Sequence, residues 1–180
     1  MMTDQSKLES LSFPQAIAAT QSLMDQIHAN ELSEAEVQQA VSSILSTKNG
    51  GRGFFVSYLT SNLSLADNPS LGIIKGLDSA IELSSELLVK NLAMSYAMSI
   101  SHNRHNDYES KKDSLKVYHR TSKLIHKINS DLIWQELQKL QSTLMGESKK
   151  YQSFLERWNY DAEQKQAIKK AIYTMINSKA

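Results

Sequence analysis

The chain has 180 residues, enough for one domain with a substantial core, and its 41% hydrophobic and 22% charged residues are ordinary for a soluble globular protein. Cysteine is absent, which excludes disulfides, thiolate metal sites and cysteine nucleophiles together and suits a reducing compartment. The net charge of +1 conceals a split: residues 1–86 hold four bases against ten acids, a balance of −6, and residues 87–180 hold sixteen against nine, a balance of +7.

Such asymmetry either steers an oriented encounter with a partner or pairs the two halves with each other. The first ten residues, MMTDQSKLES, carry acids and no apolar run, so they do not read as a secretory signal. No stretch approaches the roughly 18 uninterrupted apolar residues that a membrane span requires. A soluble, cytoplasmic protein is the expectation.

In chain order the pattern is helical, with only two prolines and apolar residues recurring at a 3–4 spacing. Residues 1–11 read as a flexible N-terminus and 12–180 as a single all-helical domain. Ser12 precedes Phe13 and Pro14, and Ile17, Thr20, Met24 and Ile27 follow on one face. SEAE forms a capping box, Ser33 at the N-cap and Glu36 at the third helical position. That helix is expected to end at Asn49-Gly50. After a buried segment at 54–59 and a loop holding Asp67, Asn68 and Pro69, a short helix ends near Ser79. Further helices are predicted at 84–103, 106–128, 131–145, 148–158 and 162–177. Ser130 and Asp161 are the N-caps of two of them, and Gly146 is a stop. The fold class is all-α, a bundle of about seven to eight helices around the hydrophobic helix 84–103.

The stretch TKNGGRGFFVSYLTSN, residues 47–62, is the least regular. Its aromatic and β-branched content would suit a strand. No second strand exists to pair with it, so a short buried helix is expected for 54–59. Asn49, Gly50 and Gly51 read as a tight reversal with positive φ. If a helix began near Gly53, its free N–H groups with Arg52 would form an anion site. Reversal alone explains the same glycines and is the favoured reading.

Three stretches, GGRGFFVSYLTSNLSLADNPS, ELLVKNLAMSYAMSISHNRH and RWNYDAEQKQAI, carry a family likeness. The chain resembles a group of small uncharacterised cyanobacterial proteins over most of its length after about residue 35. The resemblance implies a cyanobacterial cytosolic setting and transfers no activity, cofactor or site residue.

Helix 84–103 is apolar almost all round, with Leu87, Leu88, Val89, Leu92, Met94, Tyr96, Met98 and Ile100, which marks a central helix. Asn91, Ser95 and His102 fall on one narrow strip with Ser99 beside them. The strip is either a structural hydrogen-bond seam, the favoured reading, or the wall of a polar site. His102, His105, His119 and His126 lie near Asp107 and Glu109. His119 and His126 are two turns apart, about 10 Å along a helix, and no metal-ligand motif occurs. No metal site and no cofactor is expected. Nor is there a nucleophile elbow, a phosphate loop or a dinucleotide fingerprint.

Helix 106–128 carries Lys112, Lys116, Arg120, Lys123 and Lys127 within about 80° of one another on a helical wheel, with Val117, Thr121, Leu124, Ile125 and Ile128 opposite. No acid lies between Asp113 and Asp131. Lys116, Arg120 and Lys123 are expected to face solvent, and the basic face is either an ordinary solvated one or a docking ridge. The leading functional expectation is a non-catalytic interaction or regulatory protein whose partner is a protein with an acidic patch. A homo-oligomer is compatible with this. The first alternative is an enzyme or small-anion binder using Arg52, Gly53, Asn91 and His102, with His102 as the acid–base group. The second is nucleic-acid binding through the ridge, disfavoured because the face has few arginines and aromatics.

Overall fold

In the computed structural model, which describes residues 11–179, most helices begin behind a Ser, Thr or Asp whose side chain accepts a backbone N–H of the first turn. The helices are α1 (Phe13–His28), α2 (Glu34–Ile44), α3 (Lys48–Thr60), α4 (Leu71–Ser79), α5 (Ile81–Arg104), α6 (Tyr108–Ile128), α7 (Asp131–Leu144), α8 (Gln152–Arg157) and α9 (Ala162–Asn177), with a 3-10 turn at Ser64–Ala66. Among the described residues there is no strand. None of these helices is long and apolar enough to cross a membrane. The N-terminal segment read as flexible lies, apart from Leu11, outside the described residues.

The caps follow the sequence signals. Ser12, Ser33 and Asp161 each close a reciprocal capping box, and Ser130 caps α7. Gly146, at φ +79°, ends the turn after α7. Helix α5 starts at Ile81 rather than at 84 and α8 covers Gln152–Arg157 rather than 148–158, and one boundary differs in kind. The second helix stops at Ile44, and Thr47 caps a new one by accepting the Gly50 N–H at 3.0 Å. Asn49, Gly50, Gly51 and Gly53 therefore sit inside α3, and none has a positive φ. The buried segment at 54–59 is helical, as expected, but belongs to this longer helix.

Within the expected single domain, the helices group into two compact units that divide between Leu87 and Leu88. In the first unit, α1 packs on α3 and α2 on α4. Glycines set both contacts. A methyl group added at Gly53 would lie 2.5 Å from the Ala16 Cβ, and one at Gly76 would lie 2.6 Å from the Val41 Cβ. Phe54, Phe55, Tyr58 and Leu59 fill the space beside α3, with Phe54 stacked on Tyr58 at 5.2 Å. The Tyr58 hydroxyl satisfies itself on the Leu65 carbonyl at 3.0 Å.

In the second unit, α6 folds back along α5, bringing Tyr118 onto Tyr96 at 4.9 Å. Ile133, Leu137 and Leu140 of α7 and Ile168 and Ile172 of α9 are buried, and these two helices pack together. Within α5, Leu88, Val89, Leu92, Ala93 and Ala97 have no exposure. Met94, Tyr96, Met98 and Ile100, counted with them from the sequence, are only half-buried.

Leu92→Ala is expected to cost about 2–5 kcal/mol, as for emptied core sites, and Met94→Ala less, measured by urea unfolding. Gly53→Ala should cost about 1–3 kcal/mol through overpacking against α1. A Gly53→Ala protein as stable as the parent would show that the α1–α3 contact yields freely.

Candidate functional site

The helix start near Gly53 on which the alternative anion site at Arg52 and Gly53 depends lies instead at Lys48. Gly53 lies in the interior of α3, where its N–H belongs to the helix ladder and its α-carbon faces Ala16. Arg52 is exposed, and its guanidinium lies over the Phe13 ring, 5.2 Å from the centroid. This cation–π contact ties α3 to the first residue of α1. Arg52 and Gly53 belong to the first unit, Asn91 and His102 to the second.

The strip on α5 is partly closed by its own helix. The Ser95 hydroxyl donates to the Asn91 carbonyl at 2.7 Å, and the Ser99 hydroxyl to the Tyr96 carbonyl at 2.6 Å. Both serines are buried, so these bonds are what burial requires. Asn91 and His102 are half-buried. The His102 Nδ1 lies 3.7 Å from a carboxylate oxygen of Asp107. Asp107 is the N-cap of α6 and accepts the Ser110 N–H at 3.1 Å. Hydrogen bonds from Ser110, with the nearby His102, hold its carboxyl below the usual range. Among the described residues no group of three or more His, Asp or Glu could hold a metal ion.

The ridge on α6 is exposed at Lys112, Lys123 and Lys127 and half-buried at Lys116, which pairs with Asp113 at 3.5 Å. Arg120 departs from the expectation: it is only 4% exposed. It sits at the edge of the ridge, about 40° around the wheel from Leu124, and Leu124 is fully buried. The weakly hydrated guanidinium suits that position better than an ammonium would. At the start of the helix, Tyr108 is 63% exposed. Together with Glu109, Lys111, Lys112, Asp113, Leu115, Lys116 and His119 it lines a shallow depression of about 620 Å³, in which three lysines face two carboxylates.

Two charged clusters escaped the sequence reading. At the end of α5, Arg104 forks onto two acids that open α9. Its Nη2 lies 3.1 Å from an Asp161 oxygen, its Nε 2.9 Å from a Glu163 oxygen. The Gln164 amide adds a bond to the Ala97 carbonyl at 3.2 Å. Arg104 first, then the Gln164 N–H, holds the Asp161 carboxyl down at about 2. The second cluster is buried. Glu136 accepts the Tyr151 hydroxyl at 2.5 Å and the Lys139 ammonium at 2.7 Å while only 6% exposed. Burial pushes its carboxyl up, but the Lys139 and Tyr151 hydrogen bonds outweigh that and leave it below the usual range. A glutamate between Ile133, Leu137 and Leu140 was the available signal, since a charge on an apolar stripe demands a partner.

A family model matches residues 12–175. The chain belongs to that family, described as uncharacterised conserved protein UCP020893. Among the described residues, the match takes in all nine helices apart from the last residues of α9. No curated protein and no solved structure matches the chain.

Asp161 and Glu136 both ionise more readily in the folded protein than in the unfolded chain. Their contribution to stability is complete above the unfolded carboxyl values, about pH 4, and is lost as the pH falls through the folded ones. Thermal melts from pH 6 downward should hold steady and then fall toward pH 2. Asp161→Asn should flatten the lower part of that decline.

Proposed function

We propose that this is a non-catalytic interaction or regulatory protein that docks the acidic surface of a protein partner through the lysines of α6. The observation that carries this reading is a coincidence of boundaries. The change of charge sign falls between residues 86 and 87, and the two compact units part between Leu87 and Leu88. Each unit thus carries one sign of charge in excess, −6 in the first and +7 in the second. A field of one sign across a folded unit steers association and rejects like-charged partners. Lys112, Lys123 and Lys127 are the exposed members of the ridge. The cysteine-free composition and the sequence resemblance support a cytosolic setting in a cyanobacterium.

Nucleic-acid binding is the second reading. It is favoured by exposed rings in the basic unit, Tyr108, Trp158 and Tyr173, the last on a helix that also carries Lys165, Lys169 and Lys170. Rings beside lysines suit stacked bases and phosphates. Binding to a single-stranded oligonucleotide that weakens steeply with salt would favour it over the protein partner.

The test is affinity capture with the wild type and with Lys112→Glu/Lys123→Glu/Lys127→Glu, read by mass spectrometry. The triple change should leave the melt nearly unmoved, since surface substitutions cost within about 0.5 kcal/mol each. Acidic proteins retained by the wild type should be lost from the variant and at about 0.5 M salt, where charges are screened beyond roughly 4 Å. The same proteins retained by both baits would remove α6 from the functional account.

A further inference from the structure

We propose that the groove between the C-terminal ends of α1 and α3 binds an aliphatic ammonium group, the chemistry of a free alkylamine or of a lysine side chain. The site lies wholly within the first unit and uses none of the lysines of α6.

The groove follows from the way the two helices meet. Arg52 lies over Phe13, Gly53 abuts Ala16, and the Ser57 hydroxyl donates to the Ile17 carbonyl at 3.4 Å. Residue numbers rise together along both helices, so α1 and α3 run in the same direction. At Gly53 no side chain keeps them apart. Further along, side chains of both helices and residues 61–63 enclose a groove of about 400 Å³.

The field in this groove is negative. Asp25 is the one charged residue of its lining, and it is exposed. Among the described residues no hydrogen bond or ion pair engages its carboxylate. Running in one direction, α1 and α3 bring their C-terminal ends to the same side, and each such end carries roughly half a negative charge. A carboxylate in the last turn of a helix opposes that dipole, a cost that a bound cation relieves. The described bases of the unit (His28 in the same turn, Lys48 and Arg52 at the start of α3, Lys75 on α4) line none of it. The unit's excess of −6 draws cations toward it.

The walls decide which cation. Ile17, Leu63 and Val56, the last 45% exposed, offer hydrocarbon surface. Gln21, Thr60 and Asn62 offer oxygen atoms. Ser57, only 7% exposed, gives its hydrogen to Ile17 and keeps lone pairs to accept a further N–H. A divalent metal ion would demand about six oxygen ligands and gain nothing from the apolar wall. An ammonium on a hydrocarbon stem uses both, its N–H donors on the oxygens and its stem along Val56 and Leu63.

The test titrates the isotope-labelled full chain with n-butylammonium, n-butyrate and n-butanol at equal ionic strength, read by amide chemical shifts. Butylammonium should give saturable shifts at Gln21, Asp25, Ser57, Thr60 and Asn62, and the other two probes should not. Asp25→Asn should weaken that binding about fivefold, as for an exposed ion pair, while Asp25→Glu retains most of it. Val56→Ser should also weaken it. Asp25 and Val56 are exposed, so all three variants should melt close to the parent. Acetyl-lysine amide separates the two sources. Binding at least as tight as butylammonium assigns the groove to a lysine presented by another protein, and weaker binding assigns it to a free amine. Shifts that never saturate or fall outside the groove overturn the proposal. So does an equal response to butyrate or butanol, or butylammonium binding that is unchanged in Asp25→Asn.

Discussion

The first unit depends on how closely its helices approach. Helix axes ordinarily stand 8–10 Å apart, a distance set by the side chains between them. At Gly53 and Gly76 the neighbour occupies the place where a side chain would begin, so hydrogen is the only substituent that fits. That closeness brings Arg52 over Phe13 and lets α3 bury Phe54, Phe55 and Tyr58. At the start of α4, Gly72 plays the same part, and its N–H completes the contact on Glu34.

This constraint explains where the sequence misled. Glycine signals both conformational freedom and lack of bulk, and composition cannot say which is in use. Asn49, Gly50 and Gly51 read as a reversal, yet the chain is already helical by Lys48. Left-handed turns are made elsewhere by asparagine: Asn30, Asn106, Asn129 and Asn159 all have φ between 48° and 57°. Asparagine tolerates that region through local hydrogen bonding. The work is divided, with asparagine turning the chain and five of the six glycines packing it. Helix existence and capping were legible because Ser33, Ser130 and Asp161 act within three residues of their partners.

Long-range partners were not legible. Arg104 meets Asp161 across 57 residues, and nothing in either local sequence announces the other. The ridge on α6 was legible as a face but not at its edge. Periodicity assigns an angle to Arg120, and whether that angle is inside or outside depends on what packs beside Leu124. The strip on α5 was legible as polar, and its serines turned out to bond to their own helix because a hydroxyl four residues on reaches a carbonyl without any partner helix.

Helix α5 carries the division of the chain within its own length. Its first residues, from Ile81 to Leu87, belong to one unit and the rest, to Arg104, to the other. The backbone hydrogen bonds of a helix link each residue to the fourth before it, so the ladder crosses the boundary without a joint. Opening the helix on one side strips partners from N–H groups on the other, and local melting in either unit is felt in its neighbour. Amide exchange within about four residues of Leu87 and Leu88 should therefore vary without a step along α5.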